Sequence, residues 1–317
     1  MKKRILITGA DGFTGRYLAK QARLGGYLTY GIVRSHRSEC ITDFDQLYTG
    51  DISDSALLVR IVEEIQPHYV VHLAAISFVA HGDIDAIYRT NVVGTRHLLE
   101  ALATLKLIPE SVLLASSANV YGNATGGILD EKTLPKPAND YAVSKLAMEY
   151  VAQLFTDKLP ITIARPFNYT GVGQASNFLI PKIVAHFRQK ADFIELGNID
   201  VARDFSDVRT VVNCYLRLLE SPQAINQVIN VCSGHAYQLN EVIKMLTSLS
   251  EHQIEVRFNP DFARAKEVKV LQGNRAKLEN IIGAIDNIPF EETLQWMLTT
   301  NPESMGSDWI DFQLKTK

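Results

Sequence analysis

Short apolar runs alternate with helix-period patterns through the first half of the chain. "RILITG" is a continuous apolar run closed by Gly, the pattern of a strand buried on both faces, and "GRYLAKQARLGG" spaces its apolar positions at helical intervals until a Gly pair ends it. "LTYGIVR" predicts a second strand, "SALLVRIVEEIQP" a helix stopped by Pro67, and "YVVHLAA" a further strand. "IYRTNVVGTRHLLEALATLK" predicts one long helix and "SVLLASS" a strand; "DYAVSKLAMEYVAQLF" predicts an amphipathic helix capped by Asn139 or Asp140, and "ITIARPFN" a strand. Strands alternating with helices predict an α/β fold, a parallel sheet with helices on both faces.

From Phe167 the pattern loosens. "FNYTGVGQASN" reads as loop, "FLIPKIVAHFRQ" as helix, and "RDFSDVRTVVNCYLRLLES" as a helix with a charged entry. "VINVCSG" returns to strand character and "NEVIKMLTSLS" to helix. The expected division is a sheet-building domain over 1–166, with part of 204–232 returning to it. A smaller mixed domain takes 167–203 and 233–300, and 301–317 is a tail.

Composition narrows the functions. Of 317 residues, 46% are hydrophobic and 21% charged, with a formal net charge of −3, so neither nucleic acid nor an anionic membrane has an electrostatic claim. No apolar stretch reaches the length that spans a bilayer. Cys40, Cys214 and Cys232 are isolated thiols without metal-ligand spacing, which points to a reducing cytoplasm and away from disulfides or zinc. His72, His81, His97 and His235 also lack metal spacing and read as packing or solvent residues; no metal is expected.

The segment "TGADGFTG" sets Gly9, Gly12 and Gly15 three apart, after one strand and at the opening of one helix. The first permits the turn, the second lets backbone approach a pyrophosphate, and the third allows close helix–strand packing. The helix N-terminus adds free N–H groups and a positive dipole end. This spacing resembles the extended branch of the short-chain dehydrogenase/reductase superfamily, the NAD-dependent epimerase/dehydratase type. That implies a Rossmann-type doubly wound sheet with a smaller C-terminal substrate-binding domain. Many NAD-binding sheets end the second strand with an acid for the ribose hydroxyl; this one ends "IVRSHR". Arg34, with Arg37, offers a cation to a 2′-phosphate, so NADP(H) is favoured and NAD(H) is the alternative. By the same resemblance Asp51 serves the adenine, Ala74 and Ala75 let the backbone pass the cofactor, and Asn91 sits at the family's structural Asn. The implied cofactor set also takes in Phe13, Thr14, Ile52, Leu73, Pro166, Tyr141 and Lys145.

Tyr141 and Lys145 lie at i and i+4 of one helix and share a face. An ammonium beside a phenol, with a nicotinamide near, is expected to lower the phenol's pKa. Ser117, at the end of a strand aimed at the same sheet edge, can hydrogen-bond a substrate carbonyl while Tyr141 moves the proton. Together they resemble the superfamily's Ser–Tyr–Lys triad. Relatives that dehydrate nucleotide sugars carry an acid soon after the triad hydroxyl; here those places hold Ala118 and Asn119. Elimination of water needs an acid and a base, whereas reduction needs one hydride and one proton. The chain therefore reads as a carbonyl reductase.

"RPFNYTGVGQ", "RDFSDV", "NVCSG" and "IPFEETL" look like GDP-6-deoxy-4-keto-hexose reductases, over Lys3 to about Leu298. This resemblance implies a GDP-linked 4-keto-6-deoxy sugar as substrate, with Asn168, Asn177, Lys182, Arg203 and Arg264 contacting it, and Arg203 on the diphosphate. The residue reading of Arg203 leaves open a salt bridge to Asp204. The family's "DPxRLRPxDV" segment is here "NPDFARAKEV", with Phe262 in place of the first Arg. A cytoplasmic homodimer is expected, packed through two helices carrying Leu98, Leu102 and Leu105 on one and Val143, Leu146 and Tyr150 on the other. A nucleotide-sugar 4-epimerase, then a 4,6-dehydratase, or a non-catalytic dinucleotide-binding regulator, are the alternatives.

Overall fold

In the computed structural model, which describes residues 2–35, 43–77, 83–122, 127–262 and 269–300, the first apolar run becomes β1 (Arg4–Thr8) and the next pattern α1 (Phe13–Leu24), entered at Gly12 and left at Gly25. β2 (Leu28–Val33) and β3 (Gln46–Thr49) precede α2 (Ser55–Ile65), whose N-terminus is capped by the Asp54 carboxylate accepting from the Leu57 N–H. After β4 (Tyr69–His72) come α3 (Ile84–Tyr88), a π-helical stretch at Arg89–Gly94, and α4 (Thr95–Ala103). β5 (Ser111–Ala115), β6 (Gly127–Leu129), α5 (Asp140–Gln153) and β7 (Ile161–Pro166) follow. Asn139, one of the two expected caps, accepts from the Ala142 N–H at the start of α5.

The second half contributes β8 (Asn168–Thr170), α6 (Leu179–Arg188), β9 (Phe193–Leu196), β10 (Ala202–Asp207), α7 (Val208–Leu219) and β11 (Val228–Val231). β12 (Ala236–Gln238), α8 (Leu239–Ser250), β13 (Glu255–Phe258), β14 (Val270–Gly273), α9 (Ala276–Ile282) and α10 (Phe290–Thr299) complete it.

Seven parallel strands, in the order β11-β7-β5-β4-β1-β2-β3, form the doubly wound sheet. β1, β4 and β5 occupy its centre, and Ile5, Ile7, Val70, Val71, Val112 and Leu113 are wholly buried there. α1 packs against α7 on one face, while α2, α4 and α5 cover the other. The strand order reverses beside β1, between β1 and β4, the place where open sheets of this kind bind ligands. β11 brings the chain back to this sheet from the second half. The remaining short strands form β12-β10-β14-β6, with β8 also paired to β10, and the β13-β9 pair.

Four sequence expectations are corrected here. The charged entry to the later helix is strand β10, because the Asp204 carboxylate is buried and accepts from the backbone N–H groups of Ser233, Gly234 and Gly273. The helix waits for Asp207, whose carboxylate caps it at the Arg209 N–H. Part of the expected loop, Asn168–Thr170, extends as β8 because β10 offers it a parallel edge. The long helix of "IYRTNVVGTRHLLEALATLK" contains the π stretch, which includes Asn91, a residue bound sideways to the β4 loop. Leu98, Leu102 and Leu105 do not form an outward stripe: all three are buried in the core that α4 covers.

Candidate active site

The C-terminal ends of β1, β2, β4, β5 and β7 open onto one cleft of about 1580 Å³, closed on the far side by β8, α6 and the loop after β9. Pockets for a single drug-sized ligand run to roughly 1,000 Å³, so there is room for two ligands end to end.

The floor begins with the glycines. Gly9 has φ +68°, and a Cβ there would stand 2.9 Å from the Ala74 backbone nitrogen. A Cβ on Gly15 would stand 2.4 Å from the Gly9 carbonyl oxygen, so this position fixes the approach of α1 to β1. No acidic residue occupies the first turn of α1, so its N–H groups and dipole face the cleft unopposed. A dinucleotide fits this cradle. Gly9, Gly12, Phe13, Thr14, Gly15, Arg34, Asp51, Ile52, Leu73, Ala74, Ala75 and Pro166 all line the cleft. Thr14 is already engaged, its hydroxyl 2.8 Å from that of Tyr169, whose ring stacks on Phe13. The Asp51 carboxylate is held below its usual range, first by the Ser53 backbone N–H and in part by the Arg34 and Arg89 charges.

Asn91 is the exception. It lies outside the cleft lining and is fully buried behind the wall, where its side chain accepts from the Ile76 N–H at 2.8 Å and donates to the Ile76 carbonyl and to Ser144 Oγ. Its geometry is that of a brace between the β4 loop and α5. A second brace was not legible as such: His72 Nδ1 is 2.7 Å from Thr8 Oγ1 and Nε2 2.8 Å from Thr95 Oγ1. Because Thr95 donates to the Asn91 carbonyl, it accepts from Nε2–H, and Nδ1 accepts from Thr8. Burial pushes His72 down to about 3, so it is the neutral imidazole that joins these strands.

Ser117, Tyr141 and Lys145 meet at the end of β5, all three buried. Ser117 Oγ accepts from both the backbone N–H and the side-chain amide of Asn119, at 3.1 and 3.2 Å. Its own hydrogen is then directed to the phenol of Tyr141, with which it shares a hydrogen bond. Asn119 thus positions the serine. Lys145 Nζ donates to the Ala115 carbonyl at 2.7 Å. Neighbouring Ser116 turns the other way, donating to Glu149 at 2.5 Å.

Burial pushes the Tyr141 pKa up to about 12, with the Ser117 hydrogen bond pulling the other way, and burial lowers Lys145 to about 8 against the opposing influence of Glu149. In both groups removal from water is the dominant influence, and the depression expected of Tyr141 belongs to a bound nicotinamide.

On the opposite wall Asn168, Asn177, Lys182 and Arg203 line the cleft; Arg264 and Arg37 lie outside the described residues. Arg203 and Asp204 alternate along β10, so they face opposite sides, and the Asp204 carboxylate is taken up by Ser233, Gly234 and Gly273. Asn168 donates to the Asp204 carbonyl at 3.3 Å. Lys182 donates to the Glu195 carbonyl at 2.9 Å and sits 3.9 Å from the ring centre of Phe262. Sequence reasoning missed Asp11 and Gln174, although each sits inside a quoted motif, and the Leu196–Asn198 segment, which carries no motif and arrives only through tertiary contact.

The profile of the GDP-mannose 4,6-dehydratase family matches residues 6–297. The chain is 34% identical over 280 residues, 88% of its length and 91% of the relative's, to GDP-6-deoxy-D-talose 4-dehydrogenase of Aggregatibacter actinomycetemcomitans. It is 32% identical to GDP-6-deoxy-D-mannose reductase of Pseudomonas aeruginosa, covering 98% of each. Among solved structures, a candidate epimerase from Burkholderia cenocepacia J2315 superposes with a TM-score of 0.89 at 48% identity, covering 93% of this chain and 97% of that one. RMD from Pseudomonas aeruginosa, complexed with NADPH, superposes with a TM-score of 0.78 at 31% identity, covering 98% of each.

Proposed function

The chain belongs to the GDP-mannose 4,6-dehydratase family, and we propose that within it this protein is a reductase, converting a GDP-4-keto-6-deoxy sugar to the GDP-6-deoxy sugar with NADPH. The observation that carries this reading is Asn119. It commits its amide to Ser117, where a dehydratase needs a proton-transferring acid, while the triad around it is complete. The relatives named for a GDP-6-deoxy-talose 4-dehydrogenase and a GDP-6-deoxy-mannose reductase support the sugar class, and the NADPH complex of RMD supports the cofactor.

In this reading bound NADPH supplies the hydride. Ser117 donates to the C4 carbonyl oxygen and orients it. Tyr141, neutral at working pH, gives that oxygen its proton, and the Lys145 ammonium stabilises the phenolate left behind. The α1 N-terminus and its glycines hold the pyrophosphate, Arg34 the 2′-phosphate and Asp51 the adenosine end. Arg203 takes the sugar nucleotide's diphosphate, with Asn168, Asn177 and Lys182 around the sugar and base. The working unit is a cytoplasmic homodimer using Val143 and Tyr150, which α5 leaves exposed, and Val93, exposed on the π stretch. The chain divides functionally into a dinucleotide part, 1–166 with part of 204–232 returning to it, and a substrate part, 167–203 and 233–300.

A 4-epimerase is the second reading, favoured by the Burkholderia structure's description; it would retain NAD and consume no cofactor. The test is direct. With GDP-4-keto-6-deoxymannose and NADPH, one equivalent of cofactor should be oxidised per sugar reduced, and GDP-mannose with NADP should give no 4-keto-6-deoxy product. Conversion of GDP-mannose to that product would overturn the reading.

A further inference from the structure

Behind the triad lies a buried polar network that the proposed chemistry does not use. Glu149 follows Lys145 by four residues on α5, so Tyr141, Lys145 and Glu149 form one line along a helix face. The Glu149 carboxylate is buried and receives Arg165 bidentately, Nε at 2.9 Å and Nη2 at 2.6 Å, together with the Ser116 hydroxyl. Arg165, on β7 directly before the cleft-lining Pro166, also donates from Nη1 to the Tyr121 hydroxyl at 3.0 Å, which donates on to Asn230. Tyr121 ends the short 3-10 turn, Ala118–Tyr121, that starts at Ser117.

We propose that Glu149 is a positioning residue of the catalytic centre: a carboxylate kept ionised by Arg165 that sets a negative charge one turn behind the Lys145 ammonium and draws Ser116 away, leaving Ser117 as the hydroxyl offered to Tyr141. The inference rests on the reductase reading for its consequence in rate. A buried carboxylate stripped of its partner costs several kcal/mol, which is why the guanidinium arrives in a two-pronged geometry from the adjacent strand. Burial lowers Lys145 to about 8 and Glu149 acts in the opposite direction. Neutral His72 on β4 feels the Lys145 charge, the Tyr169 phenol on β8 acts on Tyr141, and Arg165 on β7 and the Tyr121 phenol lie on the far side of Glu149. Among the described residues Glu149 is the carboxylate that acts on Lys145.

The test is Glu149→Gln, which keeps the shape and one oxygen to accept from Ser116 and Arg165 Nε but loses the acceptor for Arg165 Nη2, with Glu149→Asp as the charge-preserving control. In the wild type, keto-sugar reduction should fall as Lys145 loses its proton. In Glu149→Gln the alkaline limb of kcat/KM should move to lower pH by about 1 unit, the scale of one lost neighbouring charge; Glu149→Asp should keep the wild-type limb. An NMR titration of the Lys145 side chain should show the same displacement without any substrate. A uniform loss of rate at every pH with the limb and the NMR midpoint unmoved would overturn the proposal. If wild-type protein does not reduce the keto sugar, the reductase reading fails, and the NMR midpoints alone decide this inference. If Glu149→Gln does not fold, the Asp variant decides: a midpoint displaced by more than 1 unit despite retained charge would overturn it.

Discussion

The two walls of the cleft are built differently. The wall made by β1, β2, β4 and β5 presents strand ends and backbone: glycines, the open N-terminus of α1, and side chains braced from behind by Asn91, His72 and the Glu149–Arg165 pair. The facing wall is assembled from β8, β10 and the start of α6, with Phe262 52% exposed, Lys182 donating to the Glu195 carbonyl beside that ring, and β10 anchored by the buried Asp204 carboxylate. Placing reacting atoms to within a fraction of an ångström takes bracing of this kind. In the proposed reading, recognition of the sugar and base falls to the facing wall.

The comparison predicts a gradient of effects. Tyr141→Phe should lower kcat by roughly 10²–10⁴, the usual worth of a positioned proton donor, while NADPH affinity by fluorescence titration stays near wild type. Gly15→Val would push a side chain into the Gly9 carbonyl, and an overpacked contact of this kind costs about 1–3 kcal/mol. Thermal unfolding should show that loss together with weakened NADPH binding; an unchanged melting temperature would mean the glycine contact does not hold α1.

Arg34→Ala should weaken NADPH more than NADH by about 1–3 kcal/mol, the range for a hydrogen bond to a charged group. Equal losses for both cofactors would remove Arg34 from the 2′-phosphate.

The brace around His72 makes a prediction in pH. Its folded value of about 3 lies below the ordinary 6.5, so between those values the unfolded chain holds a proton that the folded chain excludes. Stability from this group is therefore complete above pH 6.5 and is lost as pH falls, by about 1.4 kcal/mol per unit. Denaturant midpoints measured from pH 7 to 4.5 should show that slope, flattened in His72→Gln. The smallest effect belongs to the facing wall: Phe262→Ala removes an exposed cation–π contact worth about 0.5–1 kcal/mol, and should change KM for the sugar nucleotide by less than tenfold with kcat and stability near wild type.

Much of the braced wall was legible because its signals are local. Gly9, Gly12 and Gly15 act through their own backbone and that of the next helix, and Tyr141 and Lys145 share a face through helical spacing alone. Ser117 could be separated from Ser116 only by rank in the motif; the structure separates them physically, by the Glu149 carboxylate on one side and Asn119 on the other. The facing wall was less legible. Asp204 was expected in the charged entry of a helix, with a salt bridge to Arg203 left open, and is instead a buried acceptor for three N–H groups from two distant segments. The α4 leucines looked like an interface and serve the core.

The sequence by itself determined the alternation of strand and helix, the glycine cradle, the triad and the absence of an acid at Asn119, since each depends on residues close together in the chain. Tertiary structure decided what those groups experience. Burial raises Tyr141 to about 12 and lowers Lys145 to about 8, because desolvation depends on everything packed around a group. It also decided the strand at Ala202–Asp207 and the pairing of Glu149 with Arg165, which join segments that meet only when the sheet has formed.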